Sequence, residues 1–193
     1  MPAYTYNVVN VVATAMFDRD LNLDAIMDSV KAEIYPNPML ISLVVRLNVA
    51  PALVFRSGKA VIAGAKSIRD VTRAVKRLAE IFRDAGIVIG RAEVFIQNIV
   101  VKADFGANIN LDLASALLEE DVLYDPEQFP GIILRLEDPK ATALIFSSGI
   151  AIIAGLRREE DVAKAVEKIY DKLQNTKSLI PREQQQIPNI HLA

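Results

Sequence analysis

The chain has 193 residues, 52% of them apolar and 24% charged, with a net charge of −2 and no cysteine. This composition supports a packed core and argues against disorder, and it excludes disulfides, thiolate nucleophiles and zinc–thiolate sites. No run approaches the roughly 18 apolar residues a membrane helix needs, and Met1-Pro2-Ala3-Tyr4 lacks the layout of a signal peptide, so a cytoplasmic protein is expected. The charge is unevenly spread: residues 1–92 carry 12 Lys/Arg against 8 Asp/Glu, and residues 93–193 carry 10 against 16. The split suits two partners of opposite charge or is surface drift, and composition alone does not choose.

In chain order, a β-rich run over residues 7–15 leads to a short helix seeded at Leu23 and an extended piece around Tyr35. Three apolar strands follow, over 41–47, 52–55 and 59–63. Their short connections favour an antiparallel meander over βαβ crossovers. A long helix closes the series: Ser67 caps it, Val71, Val75, Leu78 and Phe82 form its apolar stripe, and Gly86 suits a left-handed C-terminal residue.

The same order then recurs. Asn98 repeats Asn10 and Leu111 repeats Leu23 at an offset of 88, Tyr124 and Arg135 repeat Tyr35 and Arg46 at 89, and residues 145–149 repeat 54–58 at 91. Five stations in one order mark a duplication, and the drift places a two-residue deletion between Arg46 and Phe55. The second long helix carries Val162, Val166, Ile169 and Leu173, and both long helices have basic outer faces. Residues 1–92 and 93–175 are therefore read as two units, followed by a flexible tail over 176–193.

Several strands, such as Leu43-Val44-Val45 and Ala151-Ile152-Ile153-Ala154, are apolar at consecutive positions. A sheet apolar on both faces needs cover on both, and four helices suffice for about one. The other face is then an interaction surface, unless a split helix arrangement or a dimer buries it.

The stretch Tyr124-Asp125-Pro126-Glu127-Gln128-Phe129-Pro130-Gly131, with Arg135, Pro139-Lys140 and 144–149 (Leu-Ile-Phe-Ser-Ser-Gly), resembles the second repeat of TATA-box-binding proteins. Residues 59–67 resemble the first repeat, and Gln97-Asn98-Ile99-Val100 resembles the central strand. The likeness covers roughly residues 7–175 and points to the archaeal branch. It implies an α+β fold: a tandem pseudo-twofold repeat forming a curved antiparallel saddle sheet, with helices on the convex face. It implies a general transcription factor, without enzymatic activity or cofactor, that binds and bends A·T-rich promoter DNA through the minor groove and recruits transcription factor B.

By position, the resemblance assigns intercalation to Leu40, Phe55, Phe129 and Phe146. It assigns minor-groove contact to Asn10, Val12, Leu53, Val61, Asn98, Val100, Leu144 and Ile152. Phosphate contact falls to Arg46, Arg56, Ser57, Lys59, Lys66, Arg135, Lys140, Ser148 and Arg157, and transcription factor B contact to Asp125 and Glu127. The chain departs from the pattern at Leu40, where phenylalanine is usual, at Ala63 and Ala154 in place of threonine, at Ile150 in place of lysine, at Leu156 in place of alanine, and in the shortened hairpin. These departures predict weaker or less selective DNA binding. A second reading is a saddle-fold paralogue that acts through protein partners, and a homodimer of the DNA-free protein stays open.

Two superficial motifs carry no chemistry. Between Gly58 and Gly64 there are five residues and Ala65 precedes Lys66, which does not fit a phosphate-binding loop. The single histidine, His191, lies in the tail and has no second histidine or cysteine to join it in a metal cluster or triad.

Overall fold

The computed structural model describes residues 4–30, 32–36, 41–118 and 122–182. The first copy contains β1 (Thr5–Met16), α1 (Leu23–Ser29), β2 (Ala32–Ile34), β3 (Ser42–Val45), β4 (Ala52–Phe55), β5 (Lys59–Ala65) and α2 (Ile68–Asp84). The second contains β6 (Glu93–Asp104), β7 (Ala107–Ile109), α3 (Leu111–Leu117), β8 (Val122–Leu123), β9 (Gly131–Glu137), β10 (Lys140–Phe146), β11 (Ile150–Leu156) and α4 (Glu160–Asn175). A final strand, β12, spans Leu179–Pro181.

Ten strands form one antiparallel sheet in the order β2-β3-β4-β5-β1-β6-β11-β10-β9-β8. This is the curved saddle with pseudo-twofold symmetry that the resemblance implied. The two copies meet along β1 and β6, whose ladder runs from Thr5↔Asp104 to Met16↔Glu93. Period-two alternation then sorts the side chains. Val11, Ala13, Ala15, Ala60, Ile62, Ile99, Val101, Ala143, Ile145, Ala151 and Ile153 are all buried on one face. Onto that face pack the stripes Val71, Ala74, Leu78 and Phe82 of α2 and Val162, Val166, Ile169 and Leu173 of α4.

Local signals explain the helix boundaries. Ser67 Oγ accepts from the Asp70 N–H, and Gly86 has φ +74°. The short helices start at asparagine caps: Asn22 Oδ1 accepts from the Asp24 and Ala25 N–H groups, and Asn110 Oδ1 from that of Leu113. Ahead of α4, Arg158 instead clasps Asp161 through two hydrogen bonds of 2.8 and 2.9 Å.

The deletion is visible in the hairpins. In the second copy β9 and β10 pair over seven residues each across Asp138-Pro139, whereas β3 and β4 pair over four, and residues 46–51 form an open connection. Losing two residues shortened the ladder, and Ala50 from the connection is buried in the core.

The flexible tail expected from Thr176 is corrected over residues 176–182. The buried Thr176 and Ser178 hydroxyls both donate to the Leu173 carbonyl at the end of α4. β12 then pairs with β7, from Leu179↔Ile109 to Pro181↔Ala107. Arg182 donates to Asp104 at 2.7 and 3.2 Å and to the Ser148 carbonyl. A tertiary partner strand, absent from any local pattern, orders the segment. His191 and the rest of 183–193 lie outside the described residues.

The Arg182 guanidinium, aided by the Gly106 N–H, holds the Asp104 carboxyl below the ordinary carboxylate range against the opposing effect of burial. A depressed carboxylate contributes stability that is complete above the ordinary aspartate range and is lost as pH falls through the folded value. Hydrogen exchange corrected for intrinsic rate should therefore accelerate at the amides of 107–109 and 179–180 only below that range. Arg182→Ala should produce the same loosening at neutral pH.

Candidate nucleic-acid interface

The second face of the sheet carries no helix among the described residues. Asn10, Val12, Leu53, Val61, Asn98, Val100, Leu144 and Ile152 all lie on it, and all are half-buried. At its centre the two copies interlock, with Asn10 opposite Val100 and Val12 opposite Asn98. On either side, Leu53 faces Val61 and Leu144 faces Ile152. The result is an apolar floor with two amides in its middle.

A backbone irregularity in each copy orients those amides. β5 bulges at Gly64 and β11 at Gly155, where φ is +98° and +100°, a conformation glycine tolerates. The freed Gly64 N–H donates to Asn10 Oδ1 at 2.8 Å, and the Gly155 N–H to Asn98 Oδ1 at 2.7 Å. Each carboxamide oxygen is thereby engaged by backbone, and its NH₂ group is left as a donor on the open face.

The two ends of the face differ. In the second copy Phe129 and Phe146 pack with ring centroids 5.7 Å apart and planes at 57°. Asp125 builds the turn beneath them: its carboxylate accepts from the Glu127 N–H at 3.2 Å and its carbonyl from the Gln128 and Phe129 N–H groups. Glu127 is exposed on that turn. In the first copy Phe55 lies at the end of β4 opposite Ser42. Leu40 lies outside the described residues.

Cations flank the floor. Arg135, Lys140 and Arg157 ring a hollow of about 670 Å³ at the second copy, with Arg158 and Asp161 at its edge. Hydrogen bonding to Asp161 raises the Arg158 pKa, and the same contact lowers that of Asp161. Arg56, Ser57 and Lys59 surround a smaller hollow of about 420 Å³ beside Phe55. Arg46 is held by Glu33 of β2 at 3.1 Å, and Lys66 Nζ donates to the Val9 carbonyl at 2.9 Å. Ser148 and Ile150 stand where the first copy has Ser57 and Lys59, and there the nearby cation is Arg182. Among the described residues no acidic or histidine cluster could hold a metal ion.

A family model described as transcription factor TFIID (or TATA-binding protein, TBP) matches residues 5–85 and 93–176. The chain belongs to the TATA-binding protein family. The TATA-box-binding protein of Sulfurisphaera tokodaii is 43% identical over 185 residues, covering 94% of this chain and 92% of the relative. That of Archaeoglobus fulgidus is 41% identical over 177 residues, covering 90% and 97%. The solved Methanococcus jannaschii TBP superposes with a TM-score of 0.78 at 41% identity, covering 88% of this chain and 98% of that one.

Sequence reasoning missed four residues of this face. Thr14 and Lys102 lie on it by alternation with Val12 and Val100, and their β-ladder partners Phe95 and Asn7 lie beside them. Phe95, 49% exposed, was hidden among the apolar residues of β6. Comparing the TATA-binding protein repeats position by position would have found all four, since Asn7/Phe95 and Thr14/Lys102 are equivalent pairs at the offset of 88.

Gly131 supports the phenylalanine pair by leaving space. A Cβ there would stand 2.8 Å from the Ile145 carbonyl oxygen, 3.1 Å from the Phe129 ring and 3.2 Å from Phe146. Gly131→Val should cost about 1–3 kcal/mol in urea unfolding, the range for overpacking. It should also abolish the mutual ring-current shifts of the two rings.

Proposed function

We propose that this chain is a general transcription factor that binds A·T-rich, TATA-like promoter DNA through the minor groove, bends it and recruits transcription factor B. The observation that carries the reading is the open apolar floor with two outward amide donors, framed by basic groups. In the minor groove an A·T pair offers only acceptors, adenine N3 and thymine O2, whereas guanine adds a donor. Fixed NH₂ groups match the first pattern and leave guanine's amino group facing another donor.

The apolar floor displaces groove water, and the ring pair supplies a wedge for one base step. Unstacking a step costs a few kcal/mol, offset by the longer contact that bent DNA makes. Arg135, Lys140 and Arg157 take phosphates at one end, and Arg56, Ser57, Lys59 and Lys66 at the other, with Ser148 beside Arg182. Arg46 joins by exchanging Glu33 for a phosphate; an exposed ion pair is worth about 0–1 kcal/mol, so the exchange is cheap. Glu127, exposed beside the ring pair, is the contact for transcription factor B, and Asp125 shapes that turn.

A bending assay tests the reading. A short TATA-like duplex labelled at both ends should show salt-sensitive binding with a large rise in energy transfer, strongly reduced in Phe129→Ala/Phe146→Ala. Asn98→Asp keeps the acceptor for Gly155 but replaces the donor with a negative charge. It should leave thermal stability nearly unchanged and weaken binding by at least tenfold. Absence of binding at low salt, with transcription factor B present, would favour the protein-interaction paralogue, and dimerisation through the same open face would then be the next measurement.

A further inference from the structure

Two cross-strand rows line the open face, and they are related by the duplication. The first runs Val44–Leu53–Val61–Thr14–Phe95, the second Ile133–Leu144–Ile152–Lys102–Asn7. Their outer three positions are equivalent in chemistry, Val-Leu-Val against Ile-Leu-Ile. Their inner two are not. The first row ends in a hydroxyl and a half-exposed aromatic ring, the second in an ammonium group and an amide. Lys102 is exposed and makes no ion pair or hydrogen bond among the described residues, so its charge is directed at whatever the face binds.

We infer that these inner positions, Thr14/Phe95 against Lys102/Asn7, decide which way round the protein sits on an asymmetric A·T-rich element. The inference rests on the promoter-binding reading above. A pseudo-twofold surface has no intrinsic direction, so orientation must come from positions where the copies differ. An uninterrupted A-tract has a narrow minor groove with enhanced negative potential that attracts a cation. The Lys102 row, in the second-repeat half, takes that half-site. A TA or CA step unstacks easily, and an apolar ring in the groove exploits such a step. The Phe95 row, in the first-repeat half, takes the half-site containing it.

The chain has no cysteine, so Lys76→Cys on the outer face of α2 provides one site for a donor dye on the first repeat. The duplex carries an A-tract half and a half with a TA step, and the acceptor is placed at either end in turn. Energy transfer should be higher with the acceptor at the TA-step end. Lys102→Thr should bring the two orientations closer by about tenfold, the scale of one discriminating groove contact. It should also lower the slope of log affinity against log salt by about one unit. Lys102→Arg should preserve both quantities, and Phe95→Asn should reduce the orientation ratio without changing the slope.

If the parent protein binds and bends the duplex but Lys102→Thr and Phe95→Asn leave the ratio unchanged, this inference is overturned and the promoter-binding reading stands. If the parent binds neither end-labelled duplex at low salt, both fail together.

Discussion

One constraint organises this molecule: ten strands are apolar on both faces, and the described helices cover one. Hydrophobic burial drives α2 and α4 onto the alternating residues of β1, β5, β6 and β11, which completes the core. The residues one position along each strand are just as apolar and have nothing above them. They cannot be made polar without losing whatever they bind, and they cannot be covered without closing the face. An exposed apolar surface of this kind is normally selected against unless it meets a partner. Curvature of the sheet brings the side chains of that face together, which is why they are half-buried although no element packs on them.

The duplication explains what is shared, and divergence explains what is directional. Both copies keep the asparagine cap before the short helix, the glycine bulge and the asparagine that receives the freed N–H. These are backbone-level devices: altering one leaves a hydrogen-bonding group unmatched, so both copies retain them. The ends and the inner floor carry no such obligation, and there the copies differ. One end has a paired set of rings and a ring of cations around a hollow, while the other has a shortened hairpin with Arg46 held by Glu33.

Much was legible in the chain itself. Periodicity exposed both long helices, and the serine cap and terminal glycine of α2 marked its ends to within a residue. Offsets of 88, 89 and 91 located the duplication and its two-residue deletion without any coordinates. Less was legible where a contact rather than a pattern decides the structure. Residues 176–182 read as a tail because a proline and polar neighbours give no periodic signal. Pairing with β7, and the grip of Arg182 on Asp104 and the Ser148 carbonyl, order them.

The sequence by itself determined the element order, the twofold repetition, the surplus apolar face and, through the motif around Phe129, the family. Each of these is written in spacing or residue type, which short-range sterics and hydrophobic periodicity translate directly into structure. Only the tertiary structure decided that Asn10 and Asn98 turn their NH₂ groups to the open face. It also decided that Thr14 and Phe95 stand across the twofold from Lys102 and Asn7, and that Arg182 takes up a position beside Ser148. These outcomes depend on strand register and on partners far apart along the chain. A register is set by the sum of all ladder and core contacts, so no local segment encodes which side chains will share a face with a distant one.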